Sequence, residues 1–262
     1  MDLQLAGKTA LVTGGSRGIG KAIARALAAE GVQVAILARN EEPLFAAAHE
    51  LAAAGSSPIL PVTADTGDTE AVNAAVARVI EEFGGIDILV NNAARPGGAP
   101  PKPGIENLPD DGFLEEMNTK VLGYARCARA VVPSMKERGW GRIINISGLA
   151  ARQTGNPIGS IRNVAVSALT KNLADELGQF GINVTCVHPG LTWTEGVAET
   201  FGRQAGSEEA ARERLSSQNA VRRVIDAQDI ANVVAFLASP LSVAITGDSI
   251  AAGGGVGRAI HY

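Results

Sequence analysis

Three glycines, Gly14, Gly18 and Gly20, stand in "KTALVTGGSRGIGKAIARAL" between an apolar run and an Ala-rich segment of helical period. That placement suits the binding of a phosphate. Glycine lets the chain turn sharply, lets an anion approach bare backbone, and lets the following helix pack closely on a sheet. Ser16, Arg17 and Ile19 complete the turn and bring their own backbone N–H groups to it. The same stretch also reads Gly15-x4-Gly20-Lys21, close to a nucleoside-triphosphate loop. Ala22 stands where that loop needs a Mg²⁺-binding hydroxyl, so a dinucleotide is the better ligand.

The end of the second apolar run decides which dinucleotide. An acid there would accept the ribose hydroxyls of NAD, but "ILARNEE" offers Ala38 and then Arg39, whose planar fork suits a 2′-phosphate. Arg17 could add a second cation. NADP(H) is expected in preference to NAD(H).

A second stretch, "ISGLAARQTGNPIGSIRNVAVSALTK" at 146–171, falls where a strand hands over to a helix, the end of an open sheet at which ligands bind. Before Lys171 its ionisable side chains are Arg152 and Arg162, which stay protonated at neutral pH and exchange no protons. The three histidines, His49, His188 and His261, have no ligand spacing with Cys or carboxylates, so no metal is expected.

The elements that must position these residues follow from periodicity. Apolar runs such as "TALVT", "QVAIL", "DILVN", "RIINI" and "NVTCV" alternate with longer helical segments, the pattern of parallel βαβ units covered on both faces. Strands are expected near 8–13, 33–38, 58–63, 86–91, 141–147, 183–188 and 247–252. Helices are expected near 18–30, 41–55, 69–83, 110–138, 158–180 and 226–238, with Asp68 and Asp226 as N-caps. Residues 95–104, "RPGGAPPKPG", and 191–206 read as long loops beside the ligand crevice, the second as a substrate loop.

With 262 residues, 46% hydrophobic, and no linker or repeat, the chain reads as one domain over 1–262. Its 23 basic and 27 acidic residues give a net charge of -4, which argues against nucleic acid or an anionic membrane surface as partner. The N-terminus has no basic region before an apolar block, and a cytoplasmic location is expected. Cys127 and Cys186 read as reduced, packed thiols.

Taken in order, "TGGSRGIG" (13–20), "NNAA" (91–94), "MNTKVLG" (117–123), "GRIINIS" (141–147), "LTKNLADELGQFGINV" (169–184), "HPG" (188–190) and "ITGDSIAAGGG" (245–255) resemble the short-chain dehydrogenase/reductase family over almost the whole chain. The resemblance implies a single-domain Rossmann-type α/β fold, a doubly wound parallel sheet of seven strands in the order 3-2-1-4-5-6-7. It implies a small-molecule substrate, hydride transfer between carbonyl and hydroxyl, and a homodimer or homotetramer. By position, Asp65 is similar to the residue that bonds the adenine amino group, and Asn91 and Ala93 to the wall beside the adenosine ribose. Pro189 and Gly190 resemble the start of the segment that holds the nicotinamide carboxamide, with Thr192 and Thr194 as its hydroxyls.

Carbonyl reduction in this family needs a Tyr that donates a proton, a Lys four residues later, a Ser that binds the substrate oxygen and an Asn that holds a water relay. Asn118 matches the Asn. Counting back from Lys171 puts the Lys position on Asn163 and the Tyr position on Gly159. The strand end puts the Ser position on Gly148, with Ser147 one residue early.

Three readings follow. The chain is a nucleotide-binding homologue without turnover, serving as partner subunit, sensor or scaffold. Or it is an oxidoreductase for an easier reaction, with water, Ser147, Ser160 or Asn163 stabilising the oxyanion. Or an acid comes from elsewhere, from Tyr262, His261 or His188. Installing Ser, Tyr and Lys at 148, 159 and 163 is expected to raise NADPH affinity.

Overall fold

In the computed structural model, residues 1–54, 58–94 and 105–257 are described. The apolar runs become parallel strands: β1 (Thr9–Thr13), β2 (Gln33–Ala38), β3 (Ile59–Thr63), β4 (Ile88–Asn91), β5 (Gly141–Ile146) and β6 (Ile182–Pro189). Two short strands, β7 (Thr192–Trp193) and β8 (Ile225–Asp226), precede the last, β9 (Ser249–Ala252). The main sheet has seven strands in the order β3-β2-β1-β4-β5-β6-β9, and its last strand takes the place expected for the seventh. β7 and β8 form a separate parallel pair that periodicity could not reveal, because two residues carry no period.

The strands read as unbroken apolar runs because helices bury both faces. On one face Val12, Val34, Ile36, Val90 and Ile144 pack with Ile23 and Leu27 of α1 (Gly18–Ala29) and Leu44 of α2 (Glu41–Ala54). On the other, Leu11, Leu37, Leu89, Ile143 and Val184 pack with Val72 and Val76 of α3 (Thr69–Phe83). Side chains one residue apart on a strand thus enter opposite cores. Asp68 caps α3 by accepting from the Glu70 and Ala71 amides, at 2.8 and 3.1 Å.

Two expectations are corrected. The segment 110–138 is interrupted: α4 (Asp110–Glu116) passes through a π-helical turn, Met117–Leu122, into α5 (Gly123–Arg138). The Gly123 amide reaches back to the Asn118 carbonyl, a five-residue step of the kind found at functional sites. The segment 191–206 is no loop. After β7 it forms α7 (Glu195–Ala205), followed by α8 (Glu208–Ser216), because Trp193, Ala211, Leu215 and Val224 give it a small core of its own. Farther along, α6 (Pro157–Leu177) and α9 (Ala227–Ala238) run near their expected bounds, the latter opened by a capping box of Asp226 and Asp229. The 95–104 segment, His261 and Tyr262 lie outside the described residues.

Candidate functional site

The parallel strands all end on one side, and the glycine turn leaves β1 there. Gly14 has φ +67, and a Cβ on it would sit 2.8 Å from Asn92 Nδ2 and 3.0 Å from Ala93 Cα. A Cβ on Gly20 would run into the Gly14 carbonyl oxygen. The turn therefore accepts glycine alone at these points. Asn92 Nδ2 donates to the Thr13 and Gly14 carbonyls at 3.0 and 3.1 Å, while Thr13 Oγ1 takes the Asn92 and Ala93 amides. Asn92 was missed by sequence reasoning; its signal was the second Asn of "NNAA".

The N-cap of α1 is Arg17, whose side chain makes no capping bond, and no acid stands in the first turn. The positive end of α1 is thus left to a ligand or to another part of the chain. Glu195 of α7 uses it: its Oε2 accepts from the Gly18 amide at 3.1 Å. Thr194 lies over the same turn, its Cγ2 3.4 Å from where a Gly18 Cβ would be, and its Oγ1 caps α7 by accepting from the Val197 amide. Ser16 and Ile19 are half-buried and Arg17 exposed around this cradle. Together with the glycine geometry, this arrangement fits a dinucleotide pyrophosphate.

At the end of β2, Arg39 is half exposed, with Nη1 3.9 Å from Asp65 Oδ2. Asp65 Oδ1 also accepts from the Gly67 amide at 2.8 Å, a turn contact. Thr192 is buried and donates to the Gly190 carbonyl at 3.1 Å, holding the bend after Pro189.

A second centre forms where β5 meets α6. Asn156 opens the helix, its Oδ1 accepting from the Gly159 amide at 3.2 Å. Gly159 and Asn163 are both buried one turn apart on the same face. Gly148 follows β5, and a Cβ on it would lie 3.1 Å from Asn163 Nδ2, so the Asn163 amide overlooks Gly148. Ser147 Oγ donates to the Asn163 carbonyl at 3.0 Å, and Ser160 Oγ to the Gln153 carbonyl at 2.9 Å.

Between them sits a residue the sequence reading did not consider. Lys120, from the π-helical turn, is 4% exposed, and its Nζ donates to the Ser147 carbonyl at 2.9 Å and to Asn163 Oδ1 at 3.0 Å. Burial pushes its ammonium down from 10.5 to about 8, opposed in part by the Cys186 thiol. The signal was present: Lys120 lies four and seven residues before Tyr124 and Cys127, which are fully buried, so a lysine stands on the apolar face of the helix.

His188 closes the centre. The Gly148 amide donates to its Nδ1 at 3.4 Å, so Nδ1 carries no proton and Nε2–H faces Ser167 Oγ at 3.3 Å. Burial, then the positive charges of Arg152 and Lys120, hold its pKa down at about 4. The neutral ring structures the Gly148 turn and is a poor proton donor.

Two expected site residues turn elsewhere. Asn118 Oδ1 takes Arg126 Nη2 at 2.8 Å and its Nδ2 reaches the Gly67 carbonyl at 3.4 Å, because Arg126 bridges α5 to the β3–α3 turn. Asn91 is fully buried, and its Nδ2 bonds Asn145 Oδ1 at 2.9 Å inside the sheet; strand alternation points it away from the cradle.

A family model described as enoyl-(acyl carrier protein) reductase matches residues 14–257. The chain is 35% identical over 247 residues to the short-chain reductase protein NovJ of Streptomyces niveus, covering 94% of this chain and 92% of that one. It is 34% identical over 256 residues to the 3-oxoacyl-(acyl-carrier-protein) reductase FabG of Vibrio cholerae, covering 97% and 99%. Among solved structures, L-sorbose reductase from Gluconobacter frateurii, complexed with NADPH and L-sorbose, superposes with a TM-score of 0.92 at 31% identity, covering 99% of this chain and 100% of that one.

Proposed function

The chain belongs to the short-chain dehydrogenase/reductase family, and on that premise we propose that it is an NADP(H)-dependent oxidoreductase interconverting a carbonyl and a hydroxyl on a small molecule, with the family's proton-donating Tyr and its Lys replaced by Gly159 and Asn163. The observation that carries this reading is the glycine cradle at the start of α1, where Arg17 makes no side-chain cap and Thr194 lies over the turn. The 2′-phosphate falls to Arg39, with Arg17 beside the turn. That L-sorbose reductase was solved with NADPH supports the same choice.

When bound, the cofactor supplies or removes a hydride at the substrate carbon. The chain's part is to orient both molecules and stabilise the oxygen. The helical count that places Gly159 and Asn163 is supported by α6, which runs unbroken from Pro157 past Lys171. With glycine at 159 that position carries no phenol, and water supplies the proton that completes the alcohol. A positioned acid contributes roughly 10²–10⁴ in rate, so the substrates that suit this site are carbonyls already activated by a neighbouring electron-withdrawing group.

Calorimetric titration with NADPH and NADH, followed by a turnover screen over carbonyl and hydroxyl compounds, tests the reading. NADPH should bind at least roughly tenfold tighter than NADH, with slow turnover of activated carbonyls. No NADPH binding would discard the proposal. Tight binding with no turnover would instead make the chain a non-catalytic nucleotide-binding homologue.

A further inference from the structure

We propose that Asn163 Nδ2 is the hydrogen-bond donor for the substrate's carbonyl oxygen, and that the buried Lys120 ammonium is the positioning residue that turns it there. The proposal rests on the oxidoreductase reading above and names the group that does the work of the missing donor.

The geometry leaves little choice about which way the amide faces. An ammonium has donors and no acceptor, so the Asn163 atom 3.0 Å from Lys120 Nζ must be the oxygen. The NH₂ then points the other way, toward Gly148, and among the described residues no acceptor takes it. The point 3.1 Å from Nδ2 that a Gly148 Cβ would fill is at hydrogen-bond distance, and glycine leaves it vacant for a ligand oxygen. Ser147 fixes the same residue from the backbone, its Oγ bonded to the Asn163 carbonyl. Asn163 is thus held at two points while its donor remains free.

The cation also changes the strength of that donor. An amide whose oxygen accepts from a charged ammonium in a dry interior is polarised, and its N–H groups become better donors. Among the described residues no carboxylate bonds Lys120 to cancel the effect: its bonds go to the Ser147 carbonyl and Asn163 Oδ1. The titratable groups around it are the buried Tyr124 phenol, which donates to the neighbouring Ile146 carbonyl, Cys186 on β6, His188 at the end of the same strand and Arg152 beyond it. The ammonium, whose pKa burial lowers to about 8, is still charged near neutral pH. Asn163 transfers no proton itself; its role is to hold the oxygen as charge develops there.

Two measurements separate the proposal from the reading it rests on. The first needs no activity: NMR of the ¹³Cε-labelled Lys120 and the Asn163 side-chain amide in the apoprotein. The Asn163 amide signal should move as Lys120 titrates, and Asn163→Leu should lower the Lys120 titration midpoint further by removing an acceptor. A Lys120 that titrates at an ordinary value, or an amide that ignores it, overturns the positioning. The second is NADPH-dependent reduction of 2,3-butanedione. Asn163→Leu and Lys120→Met should each lower kcat about 10²-fold or more, the double variant should be no worse than the poorer single, and Lys120→Met should leave NADPH affinity within about threefold.

Additive losses, or a Lys120→Met enzyme as fast as wild type, refute the link. If Lys120→Met does not fold, Gly148→Ala decides: φ is 169, extended backbone that any residue adopts, and its methyl would occupy the oxygen's place. It should abolish turnover with NADPH binding intact, and unchanged turnover refutes the donor role. No turnover by the wild type sinks the oxidoreductase reading and the donor role with it, while the NMR measurement still answers for Lys120 and Asn163.

Discussion

The Glu195 carboxylate lies on the Gly18 amide, Oε2 to N 3.1 Å, joining the first residue of α7 to the first residue of α1. A carboxylate favours the positive end of a helix, and a pyrophosphate would favour it for the same reason. The two compete for one amide. Glu195→Gln should therefore raise NADPH affinity roughly two- to fivefold, the size of a single charge at a helix end. Calorimetry on the variant checks this, and an affinity that falls would show that Glu195 supports the bound state.

Arg39 stands at the end of β2 with its guanidinium half free and a weak, exposed partner in Asp65, 3.9 Å away. If it reads the 2′-phosphate, Arg39→Ala should weaken NADPH binding roughly 10- to 100-fold, as for a lost charge-assisted pair. NADH, which has no such phosphate, should be little affected. Equal losses for both dinucleotides would move the discrimination elsewhere.

His188 makes native stability fall in mild acid. Its folded pKa of about 4 lies below the unfolded value of 6.5. Above pH 6.5 neither state binds the proton, and below it the unfolded ring binds one that the native ring refuses until about pH 4. Stability present above pH 6.5 is lost as pH falls through that window, by roughly 3 kcal/mol. Urea unfolding at pH 7 and pH 4.5 should show the drop, and His188→Gln should remove most of it. A variant that keeps the wild-type slope assigns the loss to other groups.

Installing Ser, Tyr and Lys at 148, 159 and 163 meets an obstacle that the sequence alone did not reveal. Gly159 has room, since a Cβ there meets Asn156 at an ordinary 3.4 Å. Position 163 does not, because a lysine there would bring a second ammonium to a buried one already 3.0 Å from the Asn163 oxygen. Gly148→Ser, Gly159→Tyr and Asn163→Lys together should lower the melting temperature without tightening NADPH. Adding Lys120→Ser should raise both. A triple variant that binds tighter and melts no lower would mean that Lys120 can swing aside.

Much of the molecule was legible before any coordinates. The apolar runs placed the seven main strands because burial on both faces leaves a continuous signal, and Asp68 and Asp226 announced the helices they cap. The glycine turn was readable because its steric demand is local. Helical register alone brought Gly159 and Asn163 to one face of α6. Less was readable at 191–206, which read as a long substrate loop, while α7 is held by Trp193, Leu215 and Val224 from separate parts of the chain. Asn118 and Asn91 matched a pattern by position, but Arg126 and Asn145 determined where their side chains point.

The amino-acid order by itself settled the α/β class, the glycine turn after the first strand, and the lack of a tyrosine in 146–171, since each depends on neighbours within a few residues. The tertiary structure alone decided that Lys120 reaches Asn163 across 43 residues of chain and that Glu195 reaches Gly18 across 177. Periodicity says which face of a helix is buried. It cannot say which buried groups meet, because that depends on how the π-helical turn, β5 and α6 pack around one point.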